Sequence, residues 1–338
     1  MDVTDPIAQV PAFKDRKAGL VLFGVLHIGL GGLCALMVPL MIVGMVASKT
    51  FNSNTPPPMD MRMLAPSLIF YVAIATWFIW MGIGSILARR WARALLLVSS
   101  WIWLLCGIGG LLMVWLILPD MYAQMGSSGQ MPTRLATVFL YITLAFMTVF
   151  YVFIPATLVL FYGSKHVRAT CEFRNPRPSW TDACPLPVLA LSLLFTFWAC
   201  SMGFMGFYGW VFPFFGFLLS GPAGAAVALA TAVALAYIAW GTYRLDVRAW
   251  SCAGGLIVCW TLSASITFSR FSLMDLYAKM KFPEQQLELM KPVWNSHGQL
   301  FALFFAVWIA GLLGYLAYTR KFCLSNRAPS TSNAANGP

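Results

Sequence analysis

The chain has 338 residues, of which 60% are hydrophobic and only 10% charged, with a mean hydropathy of +0.76. Soluble globular chains carry about a quarter charged residues, so a water-soluble enzyme or binding module is excluded and the bilayer is the main solvent. The 22 Lys+Arg exceed the 11 Asp+Glu, yet they form no long run of like charge and lie beside apolar stretches; that pattern sets topology and attracts anionic headgroups, and it implies no nucleic-acid partner.

Residues 1–17 are polar and of mixed charge, and the next stretch, the apolar run Ala18 to Ala47, is about twice the length of a signal-peptide core. It is read as a retained first span. A hydrocarbon core of about 30 Å takes about 20 apolar helical residues. By that rule the sequence predicts eight spans: Ala18–Val46, Pro66–Leu87, Leu95–Leu118, Leu135–Tyr162, Leu186–Trp210, Ala223–Tyr243, Ala249–Phe271 and Leu300–Tyr318. After the fifth, Val211-Phe212-Pro213-Phe214-Phe215 stays apolar through a proline, which suits either a kinked extension or a segment at the interface. The expected fold is all-α, a polytopic eight-helix membrane bundle.

Orientation follows the Lys/Arg bias of the loops. With the N-terminus inside, Lys14, Arg16, Lys17, Arg89, Arg90, Arg93, Arg244, Arg248, Arg320 and Lys321 are cytoplasmic, as are the basic residues between the fourth and fifth spans. Inverting the chain would force both short arginine loops outward. Both termini are therefore expected in the cytoplasm, and the short loops fit a bacterial inner membrane.

Two segments with the pattern Arg-x-x-x-Arg-Ala recur, Arg89 to Ala94 and Arg244 to Ala249, each with a glycine upstream at Gly84 or Gly241. Gly29, Gly32 and Pro39 match Gly203, Gly206 and Pro213 at one offset, and Pro66 matches Pro222. Asp120, Tyr122, Ala123, Met125 and Gln130 match Asp275, Tyr277, Ala278, Met280 and Gln285; Tyr162 and Lys165 match Tyr318 and Lys321. Polar matches at loops in constant order predict a tandem duplication of four spans, with parallel halves because each holds an even number. The domains expected are a cytoplasmic N-terminus (1–17), a first repeat (18–165), a Pro-rich cytoplasmic linker (166–185), a second repeat (186–321) and a disordered tail (322–338).

Few residues could carry chemistry. Arg89, Arg90, Arg93, Arg244 and Arg248 could grip phosphate groups, but they are read first as topology and headgroup anchors. His27 is the histidine deep in a span; it shares a helical stripe with Gly24, Gly31 and Cys34, and its counterpart at the repeat offset is Ser201. An intramembrane ionisable group is a functional candidate by default, set against a neutral imidazole bonding across a helix interface. On the far side, Asp120, Tyr122, Arg270, Asp275, Tyr277 and His297 could line an external vestibule. The alternative is a duplicated helix cap with tyrosines anchored at the interface. Pro283-Glu284 is expected to open a short surface helix reaching Met290. Thr261, Ser263, Ser265, Thr267 and Ser269 alternate in a period that no single helical face follows, so hydrogen bonds spread around the helix are expected.

Of eight cysteines, Cys171 and Cys184 share a loop with His166 and Asp182. Their spacing lacks the tight pair of a structural zinc site, and the reducing side disfavours a disulfide, so no metal or cofactor is expected. The chain holds no P-loop, Gly-x-Ser-x-Gly or His-Glu-x-x-His motif, and its carboxylates map to loops or span ends. The expectation is a non-catalytic membrane scaffold, assembly partner or sensor. The alternative is a carrier of a small apolar or amphipathic solute or lipid, and the third a membrane-embedded enzyme.

Overall fold

The computed structural model describes residues 13–51, 61–127 and 132–325. The helices are α1 (Lys17–Phe51), α2 (Met61–Ile86), α3 (Arg90–Ser127), α4 (Thr133–Thr148), α5 (Ile154–Gly163), α6 (Lys165–Arg174), α7 (Leu186–Ser201), α8 (Gly221–Tyr243), α9 (Val247–Phe268), α10 (Leu273–Lys279) and α11 (Glu284–Ser325). Eight stretches among the described residues are long and apolar enough to cross a membrane: Lys17–Ala47, Leu64–Ile86, Arg90–Ala123, Thr133–Gly163, Leu186–Tyr208, Gly221–Tyr243, Val247–Phe268 and His297–Leu324. The chain is a multi-pass, helical membrane protein with the span number expected. The far N-terminus, the Pro56-Pro57-Pro58 loop, Gln130 and the tail from Asn326 lie outside the described residues.

By contacts the chain divides into two units, drawn from Met1–Pro58, Leu68–Ile108 and Ala145–Asp182, and from Met59–Ser67, Gly109–Leu144 and Ala183–Pro338. In the first unit α1 and α2 approach closely where Gly24 and Gly31 present no side chain. A methyl at Gly24 would lie 2.8 Å from the Gly82 carbonyl oxygen, and one at Gly31 would lie 3.0 Å from that of Ala75. Gly29 and Gly32, by contrast, have nothing within 4 Å. Small residues thus let backbones meet on one stripe, as membrane helix pairs require.

The fourth span is not one regular helix. Between α4 and α5, Val149–Phe153 winds as a π-helical segment. Pro155 explains it: the ring removes the N–H that would bond the Tyr151 carbonyl and clashes with that carbonyl four residues back. The displaced Tyr151 oxygen points at Gly107 of α3, so close that no Cβ fits there.

In the second unit Leu191, Phe195, Leu235, Ile238, Ala239, Ala253, Ile257 and Leu316 form the buried core. Here the structure departs from an all-helical chain. After α7 the backbone tightens into a 3₁₀ segment, Met202–Tyr208, and then forms a two-stranded antiparallel hairpin of β1 (Phe212–Phe214) and β2 (Phe217–Leu219). Phe215 and Gly216 make its two-residue loop with φ of 40° and 84°, the left-handed pair that matches strand twist. Gly203, Gly206 and Pro213 therefore do not lie in a regular α-helix, unlike the Gly29, Gly32 and Pro39 paired with them by sequence.

One more expectation is corrected. The surface helix expected to stop at Met290 is the start of α11, which runs through Pro292 for 42 residues. At the start of the Pro-rich linker, Ser164 accepts from the His166 N–H to cap α6, and prolines 176 and 178 follow that helix.

Candidate functional site

Three groups of candidate residues fall in three places. His27 is 3% exposed inside the first unit. Its Nδ1 lies 2.7 Å from the Phe23 carbonyl one turn back. A carbonyl only accepts, so Nδ1 carries a proton and donates to it. Phe78 and Tyr162 flank it, with ring centroids at 5.9 and 6.5 Å. Phe78 continues to Trp103, and Trp103 to Phe150 within the π segment. Among the described residues no carboxylate meets His27, and the Phe23 carbonyl is its hydrogen-bond partner.

Nearby, Ser85 Oγ donates to the Leu20 carbonyl at 2.8 Å and lies 2.8 Å from the Tyr162 hydroxyl. The serine proton is used on the carbonyl, so the tyrosine O–H donates to Ser85. Both side chains are buried. This pair of bonds ties three spans together, and sequence reasoning missed it. The one signal on offer was a serine in the last helical turn before the Arg89 loop.

The five arginines split. Arg89, Arg244 and Arg248 are exposed, and the Arg244 guanidinium lies 4.5 Å from the centroid of the Trp240 ring, a cation–π contact. Arg90 and Arg93 are half-buried, because α3 begins at Arg90 and turns both toward other segments of the chain. Arg93 Nε donates to the Tyr162 carbonyl at 3.1 Å. Arg90 lies 3.2 Å from Asp182 and 3.8 Å from Glu172, and donates to the Pro176 carbonyl. Arg168 also pairs with Glu172 at 2.8 Å. The segment before α1 is strapped to α6: Arg174 donates to Asp15 at 2.7 Å, the Arg16 N–H to Thr170 Oγ1, and the Lys14 N–H to His166 Nδ1. The Arg174 guanidinium holds the Asp15 carboxyl below its ordinary range. Each exposed pair contributes about 0–1 kcal/mol, so the cluster fixes register more than it stabilises. Cys171 and Cys184 are separate buried thiols, each pushed up to about 11 by burial. Among the described residues no group of three or more His, Cys, Asp or Glu could hold a metal.

The vestibule candidates are brought together only in part. Asp120 Oδ2 lies 3.5 Å from His297 Nε2, and Tyr122 Oη 3.3 Å from Thr143 Oγ1. Asp120 lies near the C-terminal end of the 34-residue stretch Arg90–Ala123, and His297 opens the stretch His297–Leu324. Below it Gly109 admits the rings of Phe304 and Trp308, which lets α3 and α11 pack closely. Asp275 is elsewhere and committed: it accepts from the Ser272 N–H while Ser272 Oγ accepts from its own N–H, a complete capping box opening α10. Tyr277 packs on Phe282, which stacks on Tyr208. Arg270 lies along the hairpin tip at Gly216. The recurring Asp-x-Tyr-Ala-x-Met is thus not a duplicated cap, since Asp120 sits within the continuous α3.

The alternating hydroxyls of α9 also resolve. Ser263 and Thr267, one turn apart, accept from the Phe215 and Gly216 amides of the hairpin at 2.9 and 3.0 Å. Thr261 and Ser269 bond their own helix. No protein-family model, no curated protein and no solved structure matches this chain.

Proposed function

We propose that the protein is a non-catalytic membrane scaffold or assembly partner, built from two tandem four-span halves. The observation that carries this is a brace present once in each half. After the second span of each, a Schellman turn closes: Arg89 and Ala88 N–H bond the Gly84 and Ser85 carbonyls, and Asp246 and Leu245 bond those of Gly241 and Thr242. Gly84 packs on Ala92, and Gly241 on Ala249. The residue after each alanine reaches the last span: Arg93 Nε to the Tyr162 carbonyl, and Trp250 Nε1 to that of Leu316 at 2.8 Å. This register pairs Ala92, not Ala94, with Ala249. It also pairs Gly82 with Ala239, and because Gly24 meets the Gly82 carbonyl where Ser192 Oγ donates to that of Ala239, Gly24 is matched with Ser192. His27 then corresponds to Phe195, fully buried, rather than to Ser201.

The polar side chains that a catalyst would present are in this reading spent on joining helices, and the partner is another membrane protein bound along the apolar flanks. Anionic headgroups would meet Arg89, Arg244 and Arg248, with both termini on the cytoplasmic side of the cell (inner) membrane. The test is purification of the full chain in lipid nanodiscs with native-mass measurement. A stoichiometric complex with a second membrane protein, re-formed from the separately purified components, is expected; a lone monomer that re-forms with none would overturn the scaffold reading.

A second reading, a carrier of a small amphipathic solute, draws on the Asp120–His297 pair at the far end of the second unit. It requires a solute that raises the midpoint of thermal unfolding of the purified chain, and that shift should vanish in Asp120→Asn.

A further inference from the structure

The hairpin of β1 and β2 is apolar, lies between two spans and has its polar groups answered by side chains instead of solvent. In the register Phe212↔Leu219, Pro213↔Leu218 and Phe214↔Phe217, the Pro213 and Leu218 carbonyls face outward from the ladder. A hairpin in water leaves such groups, and the amides of its loop, to solvent. Here the Phe215 and Gly216 amides donate to Ser263 and Thr267, Ser263 Oγ donates to the Pro213 carbonyl at 3.3 Å, and Lys279 Nζ donates to the Leu218 carbonyl. Pro213 itself has no N–H to leave unpaired.

Depth points the same way. Ser263 is about 24 Å and Thr267 about 30 Å of helix above the start of α9, so the tip they hold lies at or just inside the edge of a core about 30 Å thick. Irregular backbone is tolerated there when protein groups satisfy it. At and beside the tip, Phe214, Phe215 and Phe217 are exposed, the last by 62%, and α9 carries its own exposed apolar stripe, Val258, Leu262 and Ile266. Arg270 stands against Gly216, and Lys279 at the base of β2, where lipid phosphates would meet them.

We infer that this hairpin is a re-entrant wedge whose three phenylalanines insert among phospholipid acyl chains of the leaflet opposite the Gly241–Asp246 turn, with Ser263 and Thr267 replacing water at its tip. The inference holds whether or not the halves arose by duplication and whichever partner the flanks bind.

The test uses the full chain in phosphatidylethanolamine/phosphatidylglycerol nanodiscs. Hydrogen exchange of the unmodified protein should show the 212–219 amides protected at least tenfold over the same segment after detergent denaturation; exchange at the denatured rate overturns the wedge. Phe217→p-benzoylphenylalanine, at an exposed position that leaves the ladder intact, should on irradiation give an intact-mass increase of one phospholipid. The same photoprobe in place of Lys281, exposed after α10, should give less than a tenth of that yield. Crosslinks to a second copy of the chain, or no lipid adduct from position 217, would overturn the proposal.

Discussion

Removal of the Ser85 hydroxyl tests how the first unit is held together. Ser85→Ala deletes the donor to the Leu20 carbonyl and leaves the Tyr162 O–H, in a side chain with no exposed surface, without its acceptor. Hydrogen bonds between membrane helices contribute about 0.6 kcal/mol on average and up to about 1.7, while a stranded buried donor costs about 1–3 kcal/mol. Ser85→Ala should therefore destabilise by about 2 kcal/mol and Tyr162→Phe by about 1 kcal/mol. The double variant strands nothing and loses only the two bonds, so it should cost about 1.5 kcal/mol instead of the additive ~3, a coupling of about 1–1.5 kcal/mol. Unfolding of the purified chain by SDS titration in bicelles measures all three. Additivity within about 0.5 kcal/mol would refute the donor assignment and the three-span tie built on it.

Thr242 follows Gly241 as Ser85 follows Gly84, is fully buried, and among the described residues its Oγ1 has no hydrogen-bond partner. Thr242→Val should accordingly stabilise by up to about 1 kcal/mol, opposite in sign to Ser85→Ala, in the same SDS titration. Gly107→Ala should lower stability by about 1–3 kcal/mol although alanine is the better helix former, because its methyl meets the Tyr151 carbonyl; a rise in the thermal midpoint would contradict the packing described. The Cys171 thiol, raised from 9.0 to about 11, should react with N-ethylmaleimide at pH 8 about a hundredfold more slowly than in the unfolded chain. Its contribution to stability is complete below pH 9 and is lost as pH rises through about 11. Asp15 has the reverse sign: its lowered carboxyl supports the strap above the ordinary carboxylate value and releases it as pH falls through the folded one. Limited proteolysis near Lys14 and Arg16 should quicken only in acid.

Span number was legible because about 20 apolar residues in a row have few other uses. Gly24 and Gly31 could also be read, since their spacing with His27 marks one face. The hairpin could not: Val211 to Phe215 is apolar without a break, and the informative residues were Gly209 and Gly216, both at positive φ. The far-side repeat misled because identical letters sit in different settings. Ser272-x-x-Asp275 is a visible capping box, whereas the residue three before Asp120 is Ile117, which cannot cap, and that contrast was available in the sequence. The inward turn of Arg90 and Arg93 was hidden because their partners, Glu172, Asp182 and the Tyr162 carbonyl, come from distant segments whose placement depends on the fold.

The turns after Gly84 and Gly241 leave no slack. Each reverses the chain within two or three residues, with Ala88 or Leu245 in a left-handed conformation and a glycine pressed against the next helix. Each pair of spans so joined, Leu64–Ile86 with Arg90–Ala123 and Gly221–Tyr243 with Val247–Phe268, is therefore stiff at its turn, its two helix ends locked like the ends of one strut. The π segment at Val149–Phe153 is a different kind of joint, where the hydrogen-bond ladder carries an extra residue.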